Sequence, residues 1–182
     1  ARAKTLNKLG IYNLEDLITY YPRSYEDRSQ IKKIKDIVDG EKTTIEVRAI
    51  TPVTVRMIGR YKSIEKATFS DETGEIVVTW FNQPYISKQI KRGEMYRLFG
   101  KINANGLFLE MNSPVFDPIG KNTNTGKIIP VYPLISEIKP TTMRRIISNG
   151  LSVTDRLDEI EPDYIVKKYN LMDYDTSIRQ IH

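Results

Sequence analysis

Two alternating stretches joined by a four-residue turn constrain this chain more than anything else in it. In Glu75–Phe81, Ile76, Val78 and Trp80 point one way while Val77, Thr79 and Phe81 point the other. The preceding stretch, Ile64–Ser70, carries Ala67 and Phe69 on one face, and Asp71-Glu72-Thr73-Gly74 between the two is a tight hairpin turn. The only Trp of the chain therefore faces one side of a sheet and Phe81 faces the other. Beyond the strand, Asn82 or Gln83 is placed to cap a short helix, Pro84–Ile90, that Pro84 opens. Ile86 and Ile90 lie one turn apart on it. Tyr85 follows Phe81 by four residues, so an aromatic pair sits at the strand end.

Three further strands complete a pattern. Thr43–Arg56 alternates as a long strand interrupted by Pro52, which implies a bulge or an edge. Gly93 turns the chain into a fourth strand, Glu94–Asn103, where mid-strand Gly100 permits close approach of a neighbour. Asn105-Gly106 is a two-residue hairpin signal leading into a fifth strand, Leu107–Asn112. Five strands with a helix between the third and fourth match an OB-fold, a small Greek-key barrel, and a long bulged first strand suits membership of both its sheets. The expected class is α+β: a five-stranded OB-fold β-barrel over 41–117, flanked by helical segments. Residues 1–40 form a hairpin-like helical segment and a connection; residues 118–182 form a loop and a helical segment. OB-folds commonly bind single-stranded nucleic acid across strands two and three and the adjoining loops. Here that region offers Arg56, Arg60, Tyr61 and Lys62 on one side, and Phe81 with Tyr85 on the other.

The flanks are less specific. Leu6, Leu9, Leu14, Leu17 and Ile18 recur at helical spacing around Gly10, Asn13 is a credible N-cap, and Pro22 ends the second helix. Leu9-Gly10-Ile11 reads as an αα corner burying its apolar face, or as one phosphate-binding helix-hairpin-helix turn. Residues 22–40 read as an irregular connection in which Arg23 and Arg28 pair with Glu26 and Asp27 or hold phosphate. The stretch from Gly120 to Ile128 has five residues between its glycines, Ile128 where a P-loop needs Ser or Thr, and Pro130 where a helix would open. It reads as a surface loop. From Pro140 onward Met143, Ile146, Ile147 and Leu151 form a helical stripe. Pro162 opens a helix containing Tyr164, Ile165 and Tyr169, and Asp175–Ile181 forms a last one. The carboxylates of 155–163 read as a solvated helix surface.

Composition excludes several functions. The 182 residues include no Cys and one His, His182, so disulfides, thiolate or His-based metal sites and a His-containing triad are out. No catalytic or metal-ligating residue is assigned. No apolar run approaches the roughly 20 residues of a membrane span, and no signal peptide is visible, which fits a cytoplasmic location. The net charge of +5 is spread along the chain, which permits binding to a polyanion without establishing it. A start at Ala1 and an end just past a helical segment suggest a piece of a longer protein.

Several strings, in this order, resemble the N-terminal wedge region of the RecG family. They are Leu9-Gly10-Ile11 with Leu14-Glu15-Asp16-Leu17, then Tyr21-Pro22-Arg23-Ser24-Tyr25-Glu26-Asp27-Arg28, then Thr68 to Gly74. Trp80-Phe81-Asn82-Gln83-Pro84-Tyr85 and Pro130-Val131-Tyr132-Pro133-Leu134 follow. The resemblance implies the wedge of a bacterial ATP-dependent DNA helicase that remodels stalled forks and Holliday junctions. ATP and Mg²⁺ would then bind in helicase lobes absent from this chain, which itself would hold no cofactor and hydrolyse no ATP. It places the family's junction-contacting aromatic pair on Phe81 and Tyr85. Partners would be branched and single-stranded DNA, with single-stranded-DNA-binding protein a further one, and the protein would work beside the nucleoid. Charge alone, without a family motif, nominates Arg56, Arg60, Lys62, Lys88, Lys91 and Arg92 as phosphate contacts. The alternatives are a protein-interaction OB module and an RNA-binding OB domain.

Overall fold

The order of elements follows the alternations in the sequence. A computed structural model describes residues 2–106 and 108–182. In chain order it contains α1 (Arg2–Asn7), α2 (Leu14–Ile18), β1 (Ser24–Asp27), β2 (Ile31–Lys32), β3 (Lys42–Ala49), β4 (Thr54–Met57), β5 (Ser63–Ser70) and β6 (Glu75–Phe81). There follow α3 (Ile86–Gln89), β7 (Met95–Asn105), β8 (Phe108–Asn112), β9 (Val115–Pro118), β10 (Ile128–Val131), α4 (Pro140–Val153), α5 (Asp163–Tyr169) and α6 (Tyr174–Ile181). Two compact units hold them: Asp27–Ile129, and Ala1–Glu26 with Pro130–His182.

In the first unit β3, β5, β6, β8 and β7 pair in that order, and β7 returns to β3 along Lys42–Arg48, closing a five-stranded barrel. The β6–β8 pair is parallel and the others antiparallel. This is the expected α+β OB-fold barrel. The first strand breaks where Pro52 foretold. Ile50 and Thr51 both donate their N–H to Thr68 O, at 3.0 and 3.3 Å, two residues against one acceptor as in a bulge. Pairing with β5 resumes as β4, where Arg56 opposes Ile64. Trp80, Phe69, Tyr96 and Phe116 meet edge to face inside, with ring centroids 6.1–6.3 Å apart, the geometry that opposes positive ring edges to negative faces. Trp80 is 0% exposed and its indole N–H donates to Pro114 O.

Asp71 locks the β5–β6 turn. Its carboxylate accepts from the N–H groups of Ile34, Thr73 and Gly74 and from the Thr73 hydroxyl. Burial alone would push this carboxyl up, but those four donors hold it below its ordinary 3.8. Asn105 pairs with Phe108 across Gly106 at positive φ. Leu107, expected to begin the fifth strand, lies outside the described residues.

Three segments outside the five expected strands are built into this unit. β2 pairs parallel with β3, β9 pairs with β7, and the loop after β9 is pinned rather than loose. Asp117 accepts from the backbone N–H of Asn124 and Thr125, the Thr125 hydroxyl and the Asn124 amide, and Thr125 is fully buried. Arg28 is buried too, 4.6 Å over the Phe99 ring, and donates to Asn124 O. Its role is internal, through the Phe99 ring and the Asn124 carbonyl. None of this shows in the periodicity, because one carboxylate organises a Gly/Asn/Thr loop that carries no apolar pattern.

The second unit is helical. Asn13 caps α2 with a full capping box, its side chain accepting from Asp16 N and the Asp16 carboxylate accepting from Asn13 N. Ile11, Leu17, Tyr132, Ile138, Met143 and Ile147 form its core, which is the αα-corner packing. Residues 154–161 are not helical: the Glu159 carboxylate accepts from Ile160, Glu161 and Tyr174 N–H groups, so these acids organise a loop instead of a helix face. No described helix is long and apolar enough to cross a membrane.

Two measurements check this packing. A Cβ on Gly100 would lie 2.9 Å from Met111 Cγ and 3.2 Å from Pro114 Cβ. Gly100→Ala is therefore expected to cost about 1–3 kcal/mol in urea denaturation, and an unchanged midpoint contradicts the overpacking. Because Asp71 has a depressed pKa, its stabilisation is present above about pH 4 and lost as pH falls through the folded value. The stability gap between wild type and Asp71→Ala should be constant near neutrality and shrink on acidification. A gap independent of pH contradicts the assignment.

Candidate nucleic-acid interface

At the end of β6 the chain leaves the barrel through a turn that β5 holds in place. Asn82 adopts a left-handed conformation (φ 56°), which Asn tolerates better than most residues. Its N–H donates to Ser63 O at 2.9 Å and its side-chain oxygen accepts from Ser63 N at 3.0 Å. Gln83 N donates to the Glu65 carboxylate at 3.0 Å. Glu65 opposes Val55 and Trp80 and is 0% exposed, and its second oxygen has no hydrogen-bond partner. Neither Asn82 nor Gln83 caps a helix. The helix is shorter than the sequence implied, Ile86–Gln89 after an uncapped Tyr85, because the Asn82 side chain is spent on β5 and Gln83 accepts from the Tyr85 hydroxyl. Ile86 and Ile90 are buried beneath it.

Phe81 is 47% exposed and Tyr85 53%, whereas Phe69, Trp80, Tyr96 and Phe99 of the same barrel are buried; Tyr61 and Phe108 also face solvent. Pairing puts Arg56, Ile64 and Phe81 in one row across β4, β5 and β6, on the face opposite Trp80. The β4–β5 hairpin continues past that row. Its tip closes with Ile58 N donating to Lys62 O at 2.6 Å and carries Arg60, Tyr61 and Lys62. The Arg60 guanidinium lies 5.8 Å from the Tyr61 ring centroid. Arg56, Arg60 and Lys62 thus share one element next to Phe81.

The remaining cations sit on the other element. Lys88 follows Tyr85 by one turn and is exposed. Arg92 donates to Ile50 O at 2.9 Å, and Lys91 lies 4.0 Å from the Glu94 carboxylate at the surface, a separation worth little energetically. Lys91 N is fixed by the hydroxyl of core residue Tyr96. Sequence reasoning missed Glu65 and Asn82 as the groups that aim the aromatic pair. Glu65 occurs at an inward position of an alternating strand, which was the available signal.

A closed five-stranded barrel of this strand order, with half-exposed aromatics and cations at the mouth of its second and third strands, defines an OB-fold. The chain belongs to the RecG wedge domain family, whose sequence model matches residues 1–154. It is 32% identical over 94% of its length to the ATP-dependent DNA helicase RecG of Thermotoga maritima, and 31% identical over 99% to that of Streptococcus pneumoniae. It spans 22% and 26% of those relatives, about a quarter of their length. A solved structure of RecG bound to a three-way DNA junction superposes over the whole chain with a TM-score of 0.87 at 31% identity, the chain covering 25% of it.

The Asn82 geometry generates a direct check. Asn82→Ala loses the Ser63 bond and places Ala in the left-handed region, for an expected loss of about 1–3 kcal/mol in chemical denaturation. Asn82→Gly should lose less, since only the side-chain bond goes. Equal losses for the two contradict the backbone part of the argument.

Proposed function

We propose that the chain is a DNA-junction wedge, with Phe81 and Tyr85 forming the edge that meets a branched DNA. The observation that carries this reading is an aromatic pair held half-exposed at the barrel end, with Phe81 in a row with Arg56, in a family one of whose members has been solved bound to a three-way junction. An aromatic face replaces base–base stacking lost as a pair opens, at about 1–3 kcal/mol per base. Arg56, Arg60, Lys62, Lys88, Lys91 and Arg92 contact phosphates, which orient the DNA without reading its sequence. In the intact protein the wedge serves an ATP-dependent helicase that remodels stalled forks and Holliday junctions. Mg²⁺-ATP is bound by lobes outside residues 1–182, and this chain contributes binding only.

The test titrates the chain against a three-way fork, linear duplex, single strand and RNA. The fork is expected to bind best, and Phe81→Ala with Tyr85→Ala to weaken fork binding about 10–100-fold. Arg56→Ala should lower the salt slope by about one. Equal binding to all four nucleic acids, or a double variant that binds the fork like wild type, overturns the reading.

A further inference from the structure

The β4–β5 hairpin carries a feature that the aromatic pair at the barrel end leaves unused. Tyr61 at its tip is 82% exposed, the most exposed large hydrophobic side chain among the described residues, with Met57 and Ile58 exposed beside it. From Thr54 to Ile64 the hairpin holds Arg56, Arg60 and Lys62 and not one carboxylate. A hairpin tip that shows water an aromatic ring and two aliphatic side chains gains nothing for the fold from them. Its unbalanced positive charge favours a polyanion over an acidic-free protein surface as the occupant.

Register gives the geometry. Ile64 stands opposite Phe81, the last residue of β6, so the hairpin runs past the end of β6 on the side where the Asn82–Tyr85 turn leaves. Tyr61 stands three positions before Ile64, in the loop that closes the hairpin ahead of β5, so even a fully extended path at about 3.3 Å per residue puts the tip no more than roughly 10 Å beyond the Phe81 row. A nucleic-acid strand advances about 3.4 Å per nucleotide along a stacked helix. A strand with one base on Phe81 therefore reaches the tip within about three nucleotides.

Resting on the junction-wedge reading, we infer that Tyr61 is a second stacking position for the same single strand, receiving a base within about three nucleotides of the one on Phe81. Arg60 and Lys62 neutralise the phosphates on either side of that base. Phe81 then sets where the strand leaves the junction, and Tyr61 sets which way it runs. The hairpin makes the single-stranded arm, and not the duplex alone, part of what is recognised.

The experiment measures affinity of the 182-residue chain for forks whose single-stranded arm is increased from none to eight nucleotides, for wild type, Tyr61→Ala, Tyr61→Phe and Phe81→Ala. Wild-type affinity should step up about tenfold by the time the arm reaches about three nucleotides. Tyr61→Ala should remove the step while keeping affinity for the armless fork, and Tyr61→Phe should keep it, since stacking needs the ring and not the hydroxyl. Phe81→Ala should weaken binding at every arm length. If Phe81→Ala weakens binding but wild type shows no step, or Tyr61→Ala retains it, the second position is wrong while the wedge reading stands. If wild type shows no preference for a fork at all, the wedge reading fails and this inference fails with it.

Discussion

The register of β5 against β6 is the constraint on which the rest of the barrel's working end depends. Ile64 pairs with Phe81 and Glu65 with Trp80, so adjacent residues of one strand are divided between solvent and core. A slip of one residue would send every side chain of β6 to the other face, burying Phe81 and exposing Trp80. The core prevents it. Trp80 is enclosed by Phe69 and Phe116, and its N–H is committed to Pro114 O. Removing a buried aromatic costs about 3–5 kcal/mol, far more than any contact at the surface edge supplies. The exposed Phe81 is thus set in place by the buried Trp80 next to it.

The same register supplies the fine aim. Ser63 and Glu65, on β5 just before and after the residue opposite Phe81, hold Asn82 and Gln83 by three hydrogen bonds. Tyr85 therefore emerges from a turn anchored to the sheet, and Tyr96 reaches out of the core to fix Lys91 at the far end of α3. Anchoring at both ends makes the aromatic edge part of the barrel. Little ordering entropy remains to be lost on binding, which favours affinity for a preformed surface.

Legibility in the sequence tracked periodicity. The barrel strands, the break at Pro52, the inward Trp80, the outward Phe81 and the Asn13 cap all have local signals, and the Gly100 contact follows from a glycine in mid-strand. What was missed lacks such a signal. β2 and β9 are too short to alternate, the 119–127 loop is ordered by the single carboxylate of Asp117, and Arg28 is buried through a ring and a carbonyl far away in sequence. At the site, exposure of the aromatic pair followed from alternation. The left-handed turn at Asn82, anchored by Ser63, and the hold of Glu65 on Gln83 depend on pairing between strands, which no local window contains.

The central claim is that a base at the branch point lies against Phe81 or Tyr85, and photochemical crosslinking tests it most directly. 5-Iodouracil placed at the branch point of a three-way fork couples preferentially to an aromatic ring stacked on it, and peptide mapping reads out the residue. The account expects the crosslink on Phe81 or Tyr85 and its loss from the linear duplex of the same sequence. A crosslink that maps instead to the helical unit, or that forms equally well on the duplex, contradicts it.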